Sequence, residues 1–156
     1  KLHLFDAYLG DAQQRYRESE HYAPGERPCV IATPWGRLGV AVCYDLRFPE
    51  LFRLMLDDGM ELLALPAAFT RRTGLAHWLP LLRARTIENQ VAVIAANQGG
   101  IHSARRETSG GSCVIDSWGR VLAELGFGAD IATAEIDMSA QRALRQKMPV
   151  SQHRRF

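Results

Sequence analysis

Cys43 closes a short apolar run, Leu38-Gly-Val-Ala-Val42, and precedes Pro49, after which Glu50-Leu-Phe-Arg-Leu-Met-Leu56 spaces apolar residues three and four apart. The run, bounded by Gly36, reads as a buried strand, and proline at a first helical position reads as a helix start. The cysteine therefore occupies a strand-to-helix corner. At such a nucleophile elbow the side chain stands clear of the sheet, and free N–H groups of the turn and first helical turn lie ready to hold an oxyanion. The thiolate is what attacks a carbonyl or nitrile carbon, and a thiol is only slightly ionised at neutral pH, so the corner needs a cationic or basic neighbour. The same local pattern also fits a buried core cysteine, the commoner fate of a free one. A Cys-His pair would have to draw on His21, His77 or His102. His77, at the head of a helix, reads more simply as a capping or packing residue.

The elements around this corner are legible from periodicity and turn residues. Residues 2–8 read as an extended segment leading into a polar loop, residues 10–25, which ends in Pro24-Gly25. Residues 29–32 and 37–42 flank Thr33-Pro-Trp-Gly36 as a β-hairpin. The helix from Pro49 ends near Gly59, and residues 61–66 form a buried strand. Residues 79–90 have helical spacing, with Pro80 in the first turn; residues 91–96 are the next buried strand. Residues 97–111 read as a long surface loop, and residues 112–115 and 120–123 as a second hairpin. Residues 131–137 are expected as a last strand, 139–147 as a helix and 149–156 as an extended tail. Alternating strands and helices with two hairpins predict an α/β layered domain with a mixed sheet. Ligands in such sheets gather at the carboxyl ends of strands, so the ends of the Cys43 and Pro66 strands are the expected pocket walls. Phe69, Thr70, His77 and Trp78 are the pocket candidates. Asp45, Arg47 and Glu50 crowd charge beside the nucleophile and read as groups that hold the elbow, not as reactants.

The chain has 156 residues, 47% of them hydrophobic, with a net charge of +2, enough for one domain with a real core. Interleaved charges give no basic stripe, so no nucleic-acid partner is expected; no apolar run approaches membrane-spanning length. Cys29, Cys43 and Cys113 are scattered and lack C-x-x-C spacing, and no pair of histidines has metal-ligand spacing. Neither a disulfide framework nor a metal is expected, and the chain reads as cytoplasmic.

Val42-Cys-Tyr-Asp-Leu-Arg-Phe-Pro-Glu50 resembles the nucleophile motif of the nitrilase superfamily of carbon–nitrogen hydrolases. Lys1-Leu-His-Leu-Phe-Asp6 resembles its lysine motif, Pro66-Ala-Ala-Phe69 with Thr73-Gly-Leu-Ala-His-Trp78 its substrate-side loop, and Arg83-Ala-Arg-Thr-Ile-Glu-Asn-Gln90 the helix that follows. The resemblance runs in order along essentially the whole chain. It implies part or most of a four-layer α-β-β-α sandwich and a Cys-Lys-Glu catalytic set that needs no cofactor. Cys43 is then the nucleophile, while Lys1 stabilises the thiolate and, with the backbone N–H of Tyr44, the oxyanion. Glu18 matches a second family glutamate that orients the lysine and substrate, with Glu20 the fallback. The family's general-base glutamate lies ahead of the lysine, so the resemblance implies a preceding portion of strands and helices.

The implied activity is hydrolysis of an amide C–N bond through a cysteine thioester, with ammonia or an amine leaving and water releasing the acid. Gly74-Leu-Ala-His-Trp78 and Pro149-Val-Ser-Gln-His-Arg-Arg155 most resemble the amidase branch that hydrolyses deaminated glutathione, with omega-amidases as near neighbours. A substrate carboxylate would call for an arginine, and Arg47, Arg71, Arg72 and Arg105 are the candidates. Pairing into a homodimer is implied as well. The alternative is a non-catalytic truncated module that survives as a binding or assembly unit.

Overall fold

The computed structural model describes residues 1–8, 15–104 and 106–155. Two short strands, β1 (Asp6–Tyr8) and β2 (Arg15–Arg17), pair antiparallel at the edge of the molecule. The first hairpin is β3 (Val30–Thr33) and β4 (Gly36–Val40), closing with Thr33 opposite Gly36. A tight 3-10 turn, Cys43–Arg47, leads into α1 (Pro49–Asp57). Then follow β5 (Leu62–Ala67), α2 (Arg71–Asn89) and β6 (Ala92–Asn97). A small hairpin, β7 (Gly99–Ser103) and β8 (Arg106–Ser109), precedes the second main hairpin, β9 (Cys113–Ile115) and β10 (Val121–Glu124), and the last helix is α3 (Met138–Lys147).

Six of the strands form one mixed sheet in the order β10-β9-β6-β5-β4-β3, parallel at β4-β5 and β5-β6 and antiparallel elsewhere. Side chains alternate across a strand, so Leu63, Leu65, Val93 and Ala95 point to the face where Leu51, Phe52 and Met55 of α1 and Trp78 and Leu82 of α2 bury. Gly39, in register with Leu63, lies on this face, and a Cβ there would run into the Met60 sulfur. The opposite face carries Ala64, Pro66, Ile94 and Ala96 in register, and Ile94 is 46% exposed. The result is the expected mixed α/β arrangement, one β layer under one helical layer.

The structure corrects several element boundaries. Residues 97–111 contain the β7-β8 hairpin where a loop was expected, tied down by the Thr70 to Thr108 bridge. Helix α2 starts at Arg71, eight residues ahead of the expected Leu79, so Pro80 sits mid-helix and His77 no longer heads it. Pro80 takes the N–H from the Ala76 carbonyl, but both residues are exposed, where an unpaired carbonyl costs least. Residues 131–137 form no strand: Ile131 is 87% exposed and no ladder partner lies beside it among the described residues. The tail folds into a 3-10 turn, Val150–His153, and Arg154 pairs with Asp57 at 2.7 Å. No helix among the described residues is long and apolar enough to cross a membrane.

Candidate active site

Strand β4 continues its ladder as far as Ala41, whose N–H donates to the Ala64 carbonyl at 3.2 Å, and then the backbone reverses at Cys43. Cys43 has φ +52°, a left-handed conformation uncommon outside glycine and one that surrounding structure must hold. Asp45 is one such restraint. Its carboxylate is almost completely buried; Oδ2 accepts the Val42 N–H at 2.9 Å, while Oδ1 accepts the N–H groups of Leu2 at 3.1 Å and His3 at 2.8 Å. The His3 imidazole meets the same Oδ1 at 2.9 Å and stacks on Phe48 with ring centres 3.6 Å apart. Arg85, buried under the turn, donates to the Leu46 carbonyl at 3.1 and 2.9 Å.

These bonds bring the segment bearing Lys1 against the elbow. Lys1 is pinned further by its carbonyl, which accepts the Gly25 N–H at 2.7 Å. Its ammonium donates to Glu18 Oε2, and the same oxygen accepts the Phe5 N–H at 2.7 Å. Glu20 instead turns outward to Arg17 at 3.1 Å. Lys1, Glu18 and Cys43 line one open cavity of about 860 Å³, whose rim includes Thr70 and Arg106.

Electrostatics qualify the expectation of a resting thiolate. Burial pushes the Cys43 thiol above its ordinary value, opposed by the Ala68 N–H, the Lys1 charge and the Tyr44 N–H, while Glu18 pushes it further up. The balance runs against the thiolate, so attack is helped by a base that takes the proton. The two N–H groups and Lys1 surround the place where negative charge would develop, the arrangement that stabilises an oxyanion.

The other predicted residues divide. Phe69 and Thr70 border a narrow cleft with Cys43, and Thr70 also caps α2, its hydroxyl accepting the Thr73 N–H at 3.3 Å. Trp78 is a core residue, 3% exposed, donating from Nε1 to the Gly111 carbonyl at 2.7 Å, and it borders neither the cavity nor the cleft. His77 is exposed and reaches Arg47 at 3.3 Å. Arg47 lies against the rings of Tyr44 and Phe69 at 5.8 and 5.3 Å. Glu50 is exposed in the first turn of α1, where a carboxylate complements the helix dipole, so the expected charge cluster of Asp45, Arg47 and Glu50 does not form. Arg105 lies outside the described residues.

Sequence reasoning missed Asn97. Its buried amide accepts the Phe69 N–H at 2.9 Å and donates to the Gly110 carbonyl at 2.6 Å and Ser109 Oγ at 3.0 Å. It thereby holds the loop whose Ala68 N–H faces the sulfur. An asparagine at a strand end carries no signal that separates this role from a turn residue. His3 was visible only as part of a motif.

The carbon-nitrogen hydrolase family profile matches residues 1–146. The chain is 47% identical to the deaminated glutathione amidase of Yersinia enterocolitica over 156 residues, all of this chain and 54% of that protein. It thus spans about half the length of this curated relative. Among solved structures, the NitFhit protein of Caenorhabditis elegans superposes with TM-score 0.92 at 48% identity, covering 99% of this chain and 38% of that one. A variant of the amidase from Nesterenkonia sp. AN1, solved with the acetamide moiety of fluoroacetamide added covalently at its active-site cysteine, superposes with TM-score 0.74 at 29% identity, covering 88% and 49%. These likenesses support the sheet and its helical cover as part of an α-β-β-α sandwich. The chain belongs to the carbon-nitrogen hydrolase family.

Proposed function

We propose that this chain carries the nucleophilic half of an amidase site that opens the C–N bond of a small, linear, carboxylate-bearing amide. The carrying observation is the strained Cys43 turn facing the same cavity as the Lys1–Glu18 pair. In this reading the Cys43 sulfur attacks the amide carbon as its proton passes to a carboxylate. The tetrahedral oxyanion is held by Lys1 and the Tyr44 N–H. The C–N bond then breaks, ammonia or an amine departs with a proton, and a thioester on Cys43 remains. Water adds to the thioester and releases the acid and the free thiol. Glu18 holds the Lys1 ammonium in place. A further glutamate on a portion preceding Lys1 serves as the general base, and that portion supplies the second sheet over Ala64, Pro66, Ile94 and Ala96.

Deaminated glutathione is the favoured substrate, supported by the relative of that name at 47% identity; amides of 2-oxo acids are the neighbouring class. The reading includes a cytoplasmic location, in keeping with three free cysteines. It also includes a homodimer, to be checked by sedimentation at micromolar concentration, where a monomer alone would count against it. Replacing Cys43 with alanine in the complete protein is the test of the activity: hydrolysis should vanish with the circular dichroism spectrum unchanged, and surviving turnover would reject the reading.

A further inference from the structure

The amidase reading leaves open which group on the protein recognises the substrate's carboxylate, and the structure narrows the choice. Of the four arginines expected for this task, Arg47 is committed to His77 and to two aromatic rings. Arg71 stands 3.5 Å from Glu107 and over the Phe127 ring at 4.9 Å. Arg72 already has an interaction of its own, and neither it nor Arg71 lines the cavity that holds Cys43.

The cations that do line that cavity are Lys1, Arg15, Arg17 and Arg106. Lys1 is neutralised by Glu18, and Arg17 by Glu20 at 3.1 Å. Arg15 lies over the Tyr8 ring at 5.5 Å. Arg106 is different: no side-chain hydrogen bond, ion pair or aromatic ring among the described residues engages its guanidinium. Strand pairing places it. Arg106 lies on β8 two residues before Thr108, so the two share a face of the strand. Thr108 is buried, bridges Thr70 across the cavity wall and meets the His102 ring at 2.7 Å. The Ser109 N–H donates to the Phe69 carbonyl at 3.0 Å. The strand that presents Arg106 is thus bonded to the same loop that aims the Ala68 N–H at the nucleophile.

We propose that Arg106 is the specificity-determining residue for this site, receiving a carboxylate at the end of the substrate remote from the scissile amide. A guanidinium offers paired donors to a carboxylate, and an unpaired one at a cavity rim can be engaged without first breaking a protein ion pair. The inference rests on the amidase reading and adds to it the residue that selects a distal carboxylate over a neutral amide of equal length.

The test compares succinamate with butanamide, which match in length and differ in the terminal carboxylate, on the complete protein. The wild type should prefer succinamate in kcat/KM by at least tenfold. Arg106→Gln should reduce that preference at least fivefold, through KM, Arg106→Lys should restore most of it, and Arg106→Glu should reverse it. An unchanged preference in Arg106→Gln, or an equal loss on both amides, would overturn the assignment. Calorimetric titration of succinamate into Cys43→Ala and into the Cys43→Ala, Arg106→Gln double variant gives a readout independent of turnover. Binding at least fivefold weaker in the double variant is expected, and equal affinity overturns the role of Arg106. Hydrolysis persisting in Cys43→Ala would instead defeat the amidase reading alone.

Discussion

One carboxylate oxygen of Asp45 accepts the backbone N–H of His3 at 2.8 Å, so a residue two positions past the proposed nucleophile grips a residue two positions past the lysine. The same oxygen holds Leu2, and the second oxygen holds Val42 at 2.9 Å. A single buried side chain thereby sets the spacing between Lys1 and Cys43. Asp45→Ala orphans three backbone donors, and at about 1–3 kcal/mol for each unsatisfied buried group the loss should exceed about 3 kcal/mol. Denaturant titration measures it. Asp45→Asn keeps one carbonyl oxygen, so it should be milder in stability while lowering kcat more than it raises KM, since Lys1 loses its register.

Glu18 joins two elements at once, taking the Lys1 ammonium and the Phe5 N–H on one oxygen. Glu18→Gln preserves an acceptor for Phe5 but removes the charge that aims Lys1. A fall in kcat of about 10²-fold or more is expected, on the scale of general acid–base contributions, with little change in melting temperature. A kcat within twofold of wild type would remove Glu18 from the mechanism.

Asn97 holds together three backbone segments around the pocket loop. Asn97→Leu keeps the branched heavy-atom skeleton yet leaves the Phe69 N–H and the Gly110 carbonyl unmet, which should cost about 2–4 kcal/mol. Activity should fall further than stability explains, because the Ala68 N–H loses its aim. Kinetics measured well below the melting temperature separate the two effects.

Gly74 shows how closely α2 is pressed against β8. A Cβ at this position would stand 1.9 Å from Ser109 Oγ. Alanine is the better helix former, by about 1 kcal/mol over glycine, yet the clash displaces Ser109, which Asn97 uses. Gly74→Ala should therefore destabilise by about 1–3 kcal/mol, the usual range for overpacking. A stabilising result would mean that the helix and hairpin are less tightly joined.

The buried Cys113 thiol is pushed up to about 12, chiefly by burial and next by the Glu124 charge. An unfolded thiol ionises near pH 8.5, so between that value and about 12 the unfolded chain loses a proton that the folded one keeps. Stability should therefore decline with rising pH across this window, by up to about 1.4 kcal/mol per unit from this group alone. Cys113→Ala should be less stable than wild type at pH 7 and close that gap at pH 10. Parallel stability curves for the two proteins would contradict the assignment.

Much of this arrangement was legible from periodicity and turn chemistry. Gly36, Gly59 and Pro49 bound their elements where expected, because each acts through its own backbone. The reading failed where tertiary contacts overrode local signals. Pro80 marked a helix start only if its Ala76 partner were buried, and Ala76 is exposed. The polar, glycine-rich stretch after Asn97 reads as a loop until Thr108 finds Thr70, a pairing 38 positions apart that no local pattern encodes. At the proposed site, the motifs singled out Cys43, Lys1 and Glu18, which the structure sets around one cavity. Trp78 was misplaced because an aromatic residue in a pocket-like motif reads the same whether it faces ligand or core. Arg106 carried no signal of its own, since which residues of a strand line a cavity depends on strand register.

The central claim is that Cys43 forms a covalent acyl bond, and intact-protein mass spectrometry of the complete protein quenched in acid during turnover of succinamate tests it most directly. The account predicts a mass increase equal to the acyl group, mapped by peptide digestion to Cys43 and absent from Cys43→Ala. Turnover with no adduct at Cys43 under any quench time, or with the adduct on another residue, would contradict it.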